Sequence, residues 1–306
     1  MGGSAAYASR LTRFCDSSTA MKTVATIENL RKEVAAARSS GKRIGCVPTM
    51  GALHAGHISL IEAAKAETGF VVVTVFVNPM QFGPNEDLAK YPRPLEADLA
   101  ACRNAGVDLV FHPEVDVVYP RQNATFIEVP GLSDRLEGAS RPGHFRGVTT
   151  VVLKLLNMVL PDVAFFGRKD YQQQLLIRQM AIDLNVTVEI RTCPIIREAD
   201  GLALSSRNVY LSDTERETAL VLSQSLEKTR HRIEQETLSP RQAQSELRTT
   251  LEAVDGLALD YATIADAATL EEVATEADSQ QLVALVAARV GTTRLIDNVA
   301  IDVGEP

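Results

Sequence analysis

Pro48-Thr49-Met50-Gly51-Ala52-Leu53-His54-Ala55-Gly56-His57 lies between an apolar run, Arg43 to Val47, and the stretch Ile58-Ser59-Leu60-Ile61-Glu62-Ala63-Ala64. The run predicts a buried strand and the stretch a helix, so the segment between them is a strand-to-helix turn. Such a turn is expected to leave backbone N–H groups at the positive end of the helix dipole, where an anion is favoured. Gly51 and Gly56 remove side chains where a phosphate needs close backbone approach. His54 and His57 are three apart and share a face in a first helical turn. Two imidazoles over a phosphate-sized hole can donate to charge developing on phosphorus. The same letters also suit a glycine-rich connection with incidental histidines, or an H-x-x-H metal pair.

Outward from this turn the chain alternates strand and helix. Ile27 to Ala37 has helical spacing. Phe70 to Val77 is continuous and β-branched, the pattern of a parallel strand covered on both faces. Asn78-Pro79 stops it. Pro94 to Gly106 is helical, with Gly106 as C-cap, and Val107 to Phe111 is a third strand. Strand, helix, strand, helix, strand predicts βαβ units and a doubly wound parallel sheet, whose ligands sit at the carboxyl ends of the strands. Thr49, Asn78 and His112 each fall at such an end.

Further on, Arg141-Pro142-Gly143-His144-Phe145-Arg146 is a polar, basic loop, and Gly147 to Leu160 predicts a buried helix ended by Pro161. Val163 to Phe166 is another strand, and Gly167-Arg168-Lys169-Asp170 is a second strand-to-helix turn. In the helix that follows, periodicity puts Gln173 in line with Leu176, Ile177, Met180 and Leu184, with Gln172 and Gln174 on the flanks. A buried Gln173 needs a polar partner, either backbone or a substrate. Val186 to Cys193 is read as a strand and Pro194 to Asp200 as a hinge. Ser205-Ser206-Arg207-Asn208 offers hydroxyls and a guanidinium, suited to phosphate oxygens. The remainder predicts a helical pair and a small antiparallel sheet, with capping boxes at Ser212/Glu215 and Ser239/Gln242. Leu282 to Val290 pairs with Thr293 to Asp302 around Gly291.

The chain has 306 residues, 45% of them hydrophobic, a length that suggests about two domains. No run approaches the ~18 apolar residues of a membrane span. A net charge of -8 and a pI near 5.3 argue against a nucleic-acid partner. Cys15, Cys46, Cys102 and Cys193 are scattered, without a C-x-x-C pair. Neither zinc nor a disulfide framework is expected, and a reducing cytoplasm is. Residues 1–20 are small and Ser/Ala-rich, read as a disordered extension or an upstream start, with Met21 the working beginning.

Taken together, PTMGALHAGH at 48–57, FVNPMQF at 76–82, YPR at 91–93, RPGHFRGV at 141–148, KLLNMVLPDVAFFGRKDYQQ at 154–173 and LSSRNVYLS at 204–212 resemble the pantoate–β-alanine ligase family. The resemblance runs from about Met21 to the C-terminus and weakens after about residue 215. The first block is shared with many nucleotidylyltransferases; the others, in this order, are far more specific. Arg168, where an acidic residue is expected, and Gln174, which lengthens the glutamine run, are departures.

The resemblance implies an α/β fold: a Rossmann-like doubly wound parallel sheet over 21–195 for nucleotide and pantoate, and a smaller C-terminal α+β lid domain over 196–306. It implies a homodimer using ATP, pantoate and β-alanine; Mg²⁺ is expected on the phosphates with no protein ligand assigned to it, and the composition adds a cytoplasmic setting without nucleic acid or membrane. Two steps are implied: pantoate and ATP give pantoyl adenylate and pyrophosphate, then β-alanine attacks and AMP leaves. By motif position, Met50, Gly51, Ala52, Leu53, His54, Ala55, Gly56 and His57 would cradle ATP. Gly167, Arg168, Lys169, Asp170, Ile196, Leu204, Ser205, Ser206 and Arg207 would complete that site. Gln81 and Gln173 would bind pantoate, with Gln81 also reaching β-alanine. His57, His54, Lys169 and Arg207 would stabilise charge during catalysis. The competing readings are a nucleotidylyltransferase acting on another small acid or phosphate, and a nucleotide sensor without catalysis.

Overall fold

The structure is a computed structural model, describing residues 20–83, 86, 88–121, 123–236, 238–273 and 281–303. The extension expected over 1–20 lies outside the described residues except at position 20.

The first half is a parallel sheet wound with helices. In chain order it comprises β1 (Lys22–Val24), α1 (Ile27–Ser39), β2 (Ile44–Thr49), α2 (Ala55–Glu67), β3 (Phe70–Val75), α3 (Leu95–Asn104) and β4 (Leu109–Phe111). There follow the short helices α4 (Val115–Val118) and α5 (Glu137–Ser140), then α6 (His144–Val159), β5 (Val163–Gly167), α7 (Tyr171–Asp183) and β6 (Glu189–Cys193). The strand order is β1-β4-β3-β2-β5-β6. Every pairing in this sheet is parallel. The chain builds outward from β2 through β3 to β4, then crosses back to lay β5 on the other side of β2. That reversal makes the gap between the carboxyl ends of β2 and β5 the topological switch point, where ligands bind in such sheets.

Alternation along the strands feeds two cores. Cys46, Val72, Phe111 and Phe166 face α1, α6 and α7. Val47, Val71, Val73, Val110 and Phe165 face α2 and α3 through Ile61, Ala64 and Leu99. Burial on both faces accounts for the unbroken apolar runs. Gly106, at φ +73°, follows the end of α3 as the expected cap. Val186 to Cys193 shortens to Glu189–Cys193, because the N–H groups of Val186 and Val188 bond locally, to the Ala181 and Val186 carbonyls, and pairing with β5 begins at Glu189. Lys22–Val24, not read as a strand, adds an edge strand by pairing with β4.

The second half comprises α8 (Asp213–Glu236), α9 (Pro240–Glu252), β7 (Leu257–Asp266), β8 (Gln281–Val290) and β9 (Thr293–Asp302). At the first expected capping box, Ser212 N–H donates to the Glu215 carboxylate, and Glu215 N–H donates to Ser212 Oγ. At the second, Gln242 N–H donates to Ser239 Oγ, which in turn donates to Gln242 Oε1. The antiparallel sheet runs β7-β8-β9. One face, with Ala284, Val286 and Ala288, packs on α8 and α9. The other face, with Val283 and Leu285, packs on Leu175 of α7. The C-terminal sheet therefore rests on the helix that begins with the second strand-to-helix turn.

Candidate active site

The turn after β2 is shaped by acceptors supplied from elsewhere. Gly51 N–H donates to Thr49 Oγ1 at 3.1 Å. Ala52 and Leu53 N–H both donate to the Asp98 carboxylate of α3, at 2.9 and 2.7 Å. Asp98 is only 3% exposed. The N–H groups of residues 51–53, expected to be free for an external anion, are thus already taken: Gly51 by a hydroxyl, Ala52 and Leu53 by an internal carboxylate. Gly51 sits at φ +83°, and a β-carbon there would stand 2.8 Å from Asp98 Oδ2. Glycine is required here for both reasons.

His54 is the N-cap of α2 and His57 the third helical residue, joined as a reciprocal capping box. Gly56 N–H donates to His54 Nδ1 at 3.1 Å, and His54 N–H donates to His57 Nδ1 at 3.4 Å. Both Nδ1 atoms therefore accept, and each neutral ring carries its proton on Nε2. The ring centroids are 4.1 Å apart. Burial, then the neighbouring His54 and Lys169, push the His57 pKa down to about 3. Burial, with Lys169, also lowers His54, against a smaller opposing effect of Asp170. The pair is neutral near pH 7 and presents two Nε2–H donors rather than two cations.

These rings line a cavity of about 290 Å³ at the switch point. Met50, Gly56, Gln81, Gly167, Lys169, Asp170, Gln173, Ile196, Leu204, Ser205, Ser206 and Arg207 line it as well. Gly51, Ala52, Leu53, Ala55 and Arg168 do not; they belong to the turns behind it. An adjoining cleft of about 1160 Å³ is lined by Gln81, Arg141, His144, Lys169, Gln173 and Arg207, among others. On the wall of the smaller cavity Lys169 and Arg207 outnumber the one carboxylate, Asp170, among the described residues, Arg141 being paired with Glu86. This suits a polyanion.

The loop after β3 closes another side. Asn78, 1% exposed, donates to Gln81 Oε1 and to the Gly147 carbonyl, both at 3.1 Å, and accepts from Tyr119 Oη at 2.8 Å. Gln81 Nε2 reaches Met50 Sδ at 3.1 Å. Gly147 lets α6 approach this loop, since a β-carbon there would stand 2.3 Å from the Met80 carbonyl oxygen. His144 Nδ1 bonds the Gln81 carbonyl at 2.9 Å, and Arg141 approaches His144 Nε2 at 3.0 Å while gripping Glu86 with two hydrogen bonds. Sequence reasoning noted this basic loop without giving Arg141 or His144 a role. His112, also expected at a strand end, bonds the Val75 carbonyl and stays out of the cavity.

The three glutamines correct the helical phase. Gln172 and Gln174, expected on the flanks, are the buried ones at 3% and 5% exposure. Gln172 donates to the carbonyls of Leu132 and Arg135 and accepts from Glu137 N–H. Gln174 accepts from Thr192 Oγ1. The Gln173 side chain lines the cavity and makes no hydrogen bond among the described residues. Among those residues there is also no cluster of three or more His, Cys, Asp or Glu able to hold a metal.

The family model for pantoate-beta-alanine ligase matches residues 22–300. A pantothenate synthetase of Moorella thermoacetica is 50% identical over 288 residues, covering 93% of this chain and all of its own length. One from Stutzerimonas stutzeri is 52% identical over 286 residues, covering 92% and 98%. Among solved structures, pantothenate synthetase from Thermus thermophilus matches with TM-score 0.85 and 45% identity, over 91% of this chain and 99% of that one. Pantoate-beta-alanine ligase from Francisella tularensis, complexed with beta-gamma ATP and beta-alanine, matches with TM-score 0.72 and 36% identity, over 92% and 97%.

Proposed function

The chain belongs to the pantoate-beta-alanine ligase family and is an enzyme of that class, and we propose that it works through pantoyl adenylate. A pantoate carboxylate oxygen attacks the α-phosphorus of ATP and pyrophosphate leaves. The neutral amine of β-alanine then attacks the acyl carbon, AMP leaves with the oxygen that joined it to pantoate, and the proton lost from the nitrogen passes to solvent. The carboxylate is already ionised at neutral pH, so the first step needs no general base. It needs two anions held together and the charge added in the transition state stabilised. The observation that carries this reading is the neutral His54–His57 pair at the switch point, with both Nδ1 atoms engaged by backbone donors.

In this reading the Nε2–H groups of His54 and His57 donate to the oxygens on the α-phosphorus. Lys169 and Arg207 hold the β- and γ-phosphates, with Ser205 and Ser206 beside them. Gln81 and Gln173 hold pantoate on the side toward the larger cleft, where β-alanine enters. Mg²⁺ fits as a companion of the nucleotide, since it keeps several waters and takes one or two carboxylates together with substrate phosphates. Asp170, the carboxylate that lines the cavity, would hold it, and the ion would supply charge neutralisation on the phosphates.

Residues 21–195 and 196–306 act as two working units, the second covering the first so that water is kept from the adenylate. Their separate apolar cores support this division. A homodimer in the cytoplasm accompanies the reading. Cys46, Cys102 and Cys193 are buried and unpaired, which suits a reducing compartment. No helix of the described residues is long and apolar enough to cross a membrane.

The test is pantoate-dependent exchange of labelled pyrophosphate into ATP, followed by AMP release on adding β-alanine. Exchange without β-alanine-dependent AMP release would instead support a nucleotidylyltransferase.

A further inference from the structure

Strand β9 carries two adjacent buried polar residues, Asp297 and Asn298, at 4% and 2% exposure. Asn298 Nδ2 donates to the carbonyls of Arg168 and Lys169, at 3.0 and 2.9 Å. Those carbonyls belong to the turn entering α7, whose N-cap, Asp170, makes no side-chain capping bond. The amide cannot be reversed, because its oxygen would then face two carbonyl oxygens. Its Oδ1 is buried without a partner among the described residues. A buried acceptor left unpaired costs stability, so the two donated bonds are what hold this residue type in place.

Asp297, away from the cavity, anchors the segment that carries the lining residues Ile196 and Leu204 to Arg207. Its carboxylate takes two hydrogen bonds from Arg197, at 2.7 and 3.1 Å. Arg197 also donates to the Gly201 carbonyl and forms a bridge with Ala203. Beside that bridge, Leu204 N–H donates to the Ile196 carbonyl at 2.9 Å. Residues 196–204 are thereby folded back so that Ser205 to Arg207 reach the cavity. The two anchors are themselves linked, since Asn298 N–H donates to Asp297 Oδ1 at 2.8 Å.

We propose that Asp297 and Asn298 are positioning residues for adenylation, a bracket on β9 that fixes the Lys169 turn and the Arg207 segment relative to each other. Neither touches the cavity; each acts through the segment it holds. The inference rests on the reading above that Lys169 and Arg207 grip the phosphates that leave as pyrophosphate. Attack of β-alanine on finished pantoyl adenylate takes place after that group has left, so the bracket is needed for the first step and not for the second.

Asn298→Asp is the test, because it is nearly isosteric and replaces the two donors with an oxygen facing two carbonyls. Pantoate-dependent pyrophosphate exchange should fall at least about tenfold in kcat, as misplacement of catalytic groups does. Single-turnover conversion of supplied pantoyl adenylate by β-alanine should stay within about twofold of wild type. A purely structural role would lower both half-reactions by the same factor, through loss of folded enzyme, and that result would overturn the bracket. Should Asn298→Asp not fold, Asp297→Asn weakens the other arm and is expected to give the same split, with an equal loss in both halves again overturning it. Wild-type enzyme run alongside separates the two ideas, since absence of exchange there would overturn the adenylation reading itself.

Discussion

The backbone N–H of His54 donates to Nδ1 of His57 at 3.4 Å, so one histidine of the pair fixes which nitrogen of the other carries the proton. The Nε2–H left on His57 is a neutral donor, already oriented before any charge develops. His57→Ala should lower kcat for adenylation roughly 100-fold or more while leaving the KM for ATP close to normal. Steady-state kinetics with ATP varied at saturating pantoate and β-alanine would check this. Near-normal turnover with weakened ATP binding would make His57 a binding residue only.

The buried state of His57 also has a pH signature. Its pKa of about 3 in the folded chain lies below the ordinary 6.5. Between those values the unfolded chain holds a proton that the folded chain does not, so this group makes stability rise with pH. Acidifying from pH 7.5 to 5 should therefore cost about 2 kcal/mol through His57 alone. His57→Gln lacks this loss, and the difference between the two proteins in urea unfolding at each pH isolates it. Identical pH dependence in both would mean that His57 titrates normally in the folded chain.

Asp98 acts as the built-in anion of the first turn. Asp98→Ala leaves the N–H groups of Ala52 and Leu53 without their acceptor and should destabilise the chain by about 3 kcal/mol. Asp98→Asn keeps one acceptor oxygen and should cost less. Gly51→Ala should cost about 1–3 kcal/mol through backbone strain at its positive φ. Urea midpoints decide the matter: an Asp98→Ala protein as stable as wild type would mean that the turn does not depend on this carboxylate.

The glutamines of α7 divide by role. Gln172→Ala removes three hydrogen bonds from a buried site and should lower the unfolding midpoint, whereas Gln173→Ala should leave it unchanged. Gln173→Ala should instead lower kcat/KM for pantoate by a factor worth about 1–3 kcal/mol, with ATP kinetics little altered. Normal pantoate kinetics in Gln173→Ala would remove it from the substrate site.

Much of this was legible in the letters. The inner strands β2, β3, β4 and β5 are short apolar runs because both faces are covered, and glycines and histidines mark the turn at the switch point. Lys22–Val24 carries no such mark, being three residues at an edge with little burial. Asp98 was hidden as an ordinary acidic residue in the first turn of α3, since its partners lie more than 40 residues back in the chain. Periodicity missorted Gln172, Gln173 and Gln174 for a physical reason. Helix α7 is covered by the parallel sheet on one side, through Leu176 and Ile177, and by the C-terminal sheet on another, through Leu175. Burial then extends round most of the helix, and a single apolar stripe no longer tells which side chain meets the cavity.

The central claim is that a pantoate oxygen bonds to the α-phosphorus of ATP before the amide forms. Pantoate labelled with oxygen-18 in both carboxylate positions, incubated with enzyme, ATP, Mg²⁺ and β-alanine, tests it directly by mass spectrometry of the nucleotide product. The expected result is one oxygen-18 in each AMP and none in pyrophosphate, with the other label retained in the amide. Unlabelled AMP, or label appearing in inorganic phosphate beside ADP, would contradict an adenylate and place the attack elsewhere on the nucleotide.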